Sequence, residues 1–159
     1  MKNSKKIIIA VISIVIVMCL TVVLEIITEN RYVKKYDTEG IRARVVDWYD
    51  NMRVMDYIDA TSLFGYDVTA DEVDSVFLTT LDGEITTDTM VIAIINAEDT
   101  STYYEIFSGF LDARKLFTDD TELLDYYDKA KLVQGDNYIY LLLSNDTDML
   151  EKELAGFYY

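Results

Sequence analysis

An uncharged apolar run from Ile7 to Leu24 (IIIAVISIVIVMCLTVVL) constrains this chain more than any other feature. A helix rises about 1.5 Å per residue, so about 20 apolar residues cross a bilayer core of about 30 Å. Adding Glu25, Ile26 and Ile27 reaches that length, with Glu25 at the far headgroup layer. Lys2, Lys5 and Lys6 precede the run, whereas Glu25 and Glu29 follow it. The lysine excess predicts a cytoplasmic basic tail over 1–6 and a single-pass signal anchor in the cell membrane over Ile7–Ile27, with everything beyond it extracytoplasmic. A cleaved signal peptide fits less well: its apolar stretch is about 7–15 residues and ends at a small-x-small site. The following residues, TVVLEIITENRY, contain no Ala-x-Ala pattern. Lipidation at Cys19 is disfavoured too, because Met18 is not small and the cysteine lies deep inside the run.

Beyond the anchor, 132 residues remain, enough for one domain with a proper core. With Cys19 in the predicted membrane segment, that domain has no cysteine, so it must stand on apolar packing; half of the sequence is hydrophobic. This suits a bacterial cell-envelope protein better than a disulfide-stapled secreted module. Past residue 6, eleven Lys and Arg face twenty-nine Asp and Glu. Such an acidic domain is repelled by phosphates, which argues against nucleic-acid binding. The absence of histidine removes the commonest general base and transition-metal ligand together, and with them a Ser-His-Asp triad or a His-ligated zinc site.

Taken in order, 28–40 reads as a polar juxtamembrane connector and 41–159 as the extracytoplasmic domain. Ile41, Val45, Trp48, Met52 and Met55 recur at four- and three-residue spacing, predicting one helix; two heptads are too few for a coiled-coil seam. MDYIDATSLFGYDVTADEVD, interrupted by Gly65, reads as a helix end and loop. Glu72–Leu81 reads as a strand, Asp82-Gly83 as part of a long or bulged hairpin loop, and Met90–Ile95 as a central strand covered on both faces. Thr102 and Glu105 form a capping-box pattern, followed by Tyr103, Ile106, Phe107, Phe110 and Leu111 on one helical face. Asp119 with Glu122 offers a second cap for a shorter helix, followed by a short strand at Leu132–Val133, a turn at Gly135-Asp136-Asn137, and a strong strand over Tyr138–Ser144. Asp146 caps a last helix with Met149, Leu150 and Leu154 that ends at Gly156. The order α-β-β-α-α-β-β-α predicts an α+β domain: an antiparallel sheet of about four strands with helices packed on one face.

Met55-x-x-x-Asp59 followed by Leu63-x-Gly65-Tyr66-Asp67 resembles the start of a small bacterial envelope domain family of unknown function. The MVIAII strand before Glu98-Asp99, the Tyr126-Tyr127 stretch, and Gly135-x-x-Tyr138 leading to Asp146 fit the same pattern, over about Met52–Leu154. The resemblance implies a domain tethered outside the cell by an N-terminal lipid or helix, and it brings no assigned activity. The chain departs from that family in lacking a lipoprotein cysteine site and a proline near Tyr126-Tyr127.

Candidate chemistry is sparse. The carboxylate groups Asp119-Asp120, Asp71-Glu72 with Asp74, and Asp146 with Asp148 suffice in principle for glycosidase chemistry or calcium, but helix capping already accounts for acids in such positions. Asn145-Asp146-Thr147-Asp148 has neither the mid-loop glycine nor the closing glutamate of a calcium loop. There is no Gly-x-Ser-x-Gly and no phosphate-cradling glycine loop. No catalytic residue, metal ligand or cofactor is therefore expected. Thirteen tyrosines stand out, and tyrosine is enriched at interfaces. In each doublet one ring can face the core while the other points elsewhere. Half-buried core aromatics account for most of this, and the functional alternative is an aromatic surface for an envelope protein or a glycan, made by Tyr104, Tyr126, Tyr140, Tyr158 and Tyr159. The leading expectation is a non-enzymatic accessory domain acting through protein contacts. A sensor for a small ligand, peptide or cation comes next, and a carboxylate-based envelope hydrolase last.

Overall fold

The computed structural model describes residues 16–20, 34–65 and 73–159. Residues 16–20 are helical, and among the described residues no helix is long and apolar enough to cross a membrane. The rest of the predicted anchor, the basic tail and 28–33 lie outside the described residues. So do Tyr66, Asp67, Asp71 and Glu72.

Lys34–Tyr159 is one compact α+β unit. Its elements are α1 (Thr38–Arg44), β1 (Arg53–Val54), α2 (Tyr57–Phe64), β2 (Asp74–Thr79), β3 (Val91–Asn96), α3 (Ser101–Leu116), α4 (Thr121–Asp128), β4 (Lys131–Gln134), β5 (Tyr138–Leu143) and α5 (Thr147–Leu154). Short 3₁₀ turns follow α1 and α5, at Val45–Asp47 and Ala155–Phe157. The sheet has five strands in the order β1-β2-β3-β5-β4, antiparallel throughout.

Strand alternation sorts the core into two layers. Phe77, Val91, Ala93, Ile95, Ile139, Leu141 and Leu143 face α2, α3 and α4. Val76, Leu78, Ile92, Ile94, Tyr140 and Leu142 face α1, α5 and the two 3₁₀ turns. Every residue of β3 is buried, as its unbroken apolar run predicts. The expectation of helices on one face is corrected: β3 and β5 are apolar on both sides, so both faces of the sheet must be covered.

Three further differences concern the first third of the unit. The expected helix through Met55 ends at Arg44, and Asn51 at φ 62° turns the chain into the two-residue strand β1. Met52 and Met55 are both buried, yet they sit in opposite core layers. The stretch expected as helix end and loop holds α2, capped by Asp56, whose side chain accepts from the Asp59 amide, and closed by Gly65 in the left-handed region at φ 74°. The described part of the connector, 34–40, is folded as well: Lys35 and Tyr159 exchange both backbone hydrogen bonds, and the Asp37 amide donates to Phe157 at 2.8 Å.

One buried polar group holds that clasp to the sheet. Asn96, at the end of β3, accepts from the Tyr36 amide at 3.0 Å and donates to the Tyr36 carbonyl at 2.8 Å. It also donates to Asp74, which accepts from Lys35 and Thr38 as well. Burial alone would raise the Asp74 carboxyl, but these three donors hold it below the usual carboxylate range.

The helix caps are mixed. Asp146 caps α5 as expected, whereas α4 is capped by Asp120, not Asp119; each accepts from amides in the first turn. The predicted box at Thr102 does not form: α3 starts at Ser101, and Asp99 accepts from the Ser101 amide instead.

Candidate functional site

The expected tyrosine surface does not assemble. Tyr126 is 1 % exposed, and its hydroxyl donates to the Thr89 carbonyl. Tyr140 is 5 % exposed and donates to Glu151, itself paired with Lys131. Burial pushes both phenols up, the Glu151 hydrogen bond adding to it for Tyr140. Both are core residues and offer nothing to a partner, which corrects their assignment to a surface. Tyr104, Tyr158 and Tyr159 are exposed. Tyr104 lies on α3, over one sheet face, whereas Tyr158 packs on Tyr36 and Tyr138 at the other, with ring centroids 5.2 Å from each.

Four described members of the suspected carboxylate clusters have structural roles. Asp120 and Asp146 are caps, Asp148 pairs with Lys131, and Asp74 anchors the clasp. Among the described residues, no group of three or more His, Cys, Asp or Glu is placed to hold a metal ion.

The sequence reading missed a groove of about 940 Å³ that opens over the α2–α3–α4 layer. Leu63, Phe64 and Gly65 at the end of α2 form one wall, and Leu81, Gly83, Glu84 and Ile85 of the β2–β3 loop form another. Gly109, Phe110, Ala113 and Arg114 of α3 line the third side, with Leu123 and Tyr127 of α4 beneath them. The bed is therefore aromatic and aliphatic. Phe64 lies 5.2 Å from Phe110 and 5.0 Å from Phe107, centroid to centroid.

Four charged residues line the groove: Arg53, Asp59, Glu84 and Arg114. Their charges cancel, in a chain of net charge −15. Arg53 and Asp59 are paired at 2.8 Å. Among the described residues, Arg114 has no carboxylate within ion-pair reach, and Glu84 has no cationic partner. Arg114 rests over the Phe110 ring, 5.3 Å from its centroid. Burial pushes the Tyr127 phenol up, and the nearby Arg114 guanidinium partly offsets that rise.

Two details show how open the groove is. Gly109 sits in the third turn of α3, where glycine costs about 1 kcal/mol against alanine. A Cβ placed there would meet nothing within 4 Å, so no neighbour demands the glycine. Phe117, which lines the groove, is 85 % exposed, and Leu116 just before it is 77 % exposed. Exposure to this degree in two successive large apolar residues leaves apolar surface next to an apolar bed. The sequence held a partial signal in Gly109, a glycine inside the best amphipathic pattern of the chain. The groove itself depends on α2 and on the long β2–β3 loop, which no periodicity marks.

Comparison with protein-family models, with curated proteins and with solved structures finds no match to this chain.

Proposed function

We propose that this chain is a non-catalytic binding domain, held at the outer face of a bacterial cell membrane by Ile7–Ile27, whose working surface is the groove between α2, the β2–β3 loop and α3. The observation that carries this reading is Gly109: a helix-weakening residue that no packing requires lines the groove. Exposed Phe117 in its lining, next to exposed Leu116, with apolar lining residues and two charges that have no ion-pair partner among the described residues, supplies what a binding site needs: burial for affinity and a few polar groups for orientation. The anchor pattern, the lysine asymmetry and the resemblance of Met55–Asp67 to an envelope family support the location. At about 940 Å³ the groove is at the upper end of small-ligand pockets, which favours a segment of another molecule over an ion.

A photoactivatable phenylalanine analogue at Phe117 tests this in native membranes, with the same analogue at Tyr104, further up α3 and outside the groove lining, as control. The expected result is a discrete adduct from position 117 that is absent from position 104 and lost when Gly109→Trp fills the groove. No adduct at 117, or equal adducts at both positions, would overturn the reading.

A further inference from the structure

The charges that line the groove point to the chemistry of its occupant; this step rests on the groove being the binding surface. The paired Arg53 and Asp59 satisfy each other, which leaves a cation, Arg114, on α3 and an anion, Glu84, on the facing β2–β3 loop. Carboxylates outnumber cations two to one in this chain, yet none is spent on Arg114 among the described residues. Its guanidinium face is taken by the Phe110 ring, while its edge keeps the N–H donors that engage a carboxylate in bidentate fashion. Glu84 is an exposed acceptor next to the buried Ile85. Leu63, Leu81, Phe110 and Leu123 line the same groove as the two charges, all apolar. A purely acidic ligand would meet Glu84 and the net negative charge of the chain, and a purely basic one would meet Arg114 unpaired. A dipolar ligand with an apolar middle satisfies both groups.

We infer that the groove takes a short apolar peptide with free ends, its α-carboxylate on Arg114, its α-ammonium on Glu84, and its side chains on the Phe110–Leu123 bed. Free termini distinguish such a peptide from an internal loop of a folded protein, which carries neither charge.

The test is affinity selection on the 159-residue chain in lipid nanodiscs, with a pool of tetrapeptides of Ala, Val, Leu and Phe read by mass spectrometry. The pool is offered with free ends, with amidated C-termini, and with acetylated N-termini. Charge-assisted pairing predicts retention of the free-ended pool about ten-fold above either blocked pool. Arg114→Gln should erase the difference between free and amidated peptides only, and Glu84→Gln that between free and acetylated peptides only. Both residues are exposed, and unchanged circular dichroism confirms that each variant folds. Equal retention of all three pools, lost with Gly109→Trp, would overturn the assignment of the charges and leave the groove as the binding surface. Failure to retain any pool would overturn the peptide assignment, and the groove reading falls with it only if the Phe117 photocrosslink is also absent.

Discussion

Asn96 satisfies the Tyr36 amide and carbonyl with one side chain, doing the work of a strand that is not there. Asn96→Ala leaves two backbone groups and part of Asp74 without partners in a buried setting, which costs about 2–4 kcal/mol. A lowered urea midpoint would show this, together with fast amide exchange confined first to residues 35–38. The tyrosines make a pH prediction. Burial, with smaller contributions from Tyr138 and Glu151, pushes Tyr36 up to about 12, and Tyr126 and Tyr140 are displaced in the same direction. A phenol in an unfolded chain ionises near about 10. Folded values above the unfolded one mean that the native state holds its protons more tightly. The stabilisation is therefore complete below about pH 10 and is lost as pH rises toward about 12. Urea midpoints should stay flat to about pH 9.5 and then fall, with the last tyrosines ionising only as the chain unfolds. Ionisation of all thirteen near pH 10 with the fold intact would contradict this. Both rings of Tyr126-Tyr127 are covered because α4 lies against both the sheet layer and α3, so neighbouring positions on a short helix are both buried. Tyr140 is covered because the face assumed to be open carries α5.

At the scale of elements, what was legible is what a single periodicity or cap specifies. β3 and β5 are strong apolar runs, α3 has a clean amphipathic face, and Asp146 caps the last helix as expected. The region from Ile41 to Gly65 was misread because its apolar spacing imitates one long helix while serving two core layers. Two turns of helix in α2 are too short for periodicity to register, although its aspartate cap and glycine stop were both present. β1 is two residues long, and it is paired only because Arg53 and Val54 meet Thr79 and Leu78. Gly109 gives the prediction that belongs here. With nothing near its Cβ, Gly109→Ala should stabilise the domain by about 0.5–1 kcal/mol, read as a raised urea midpoint. A destabilised variant would mean that the glycine is there for packing and would remove the argument built on it.

At the scale of the whole molecule, composition set limits that the fold then gave form to. A cysteine-free, strongly acidic domain must be held by its apolar layers, and the described unit buries two of them on one sheet. What composition could not show is a locally balanced groove within an acidic surface, because that balance is made by four residues that meet only in the folded chain. The same lack of cysteines provides the most direct measurement. Cys19 lies within the predicted anchor, so single cysteines can be placed at Tyr104 and Phe117 and labelled in intact cells with a membrane-impermeant maleimide. An extracytoplasmic domain with an occupied groove predicts rapid labelling at 104 and slow labelling at 117, with the difference abolished once the purified chain is freed of its ligand. Absence of labelling at 104 in intact cells, or equal rates at the two positions there, would contradict the account.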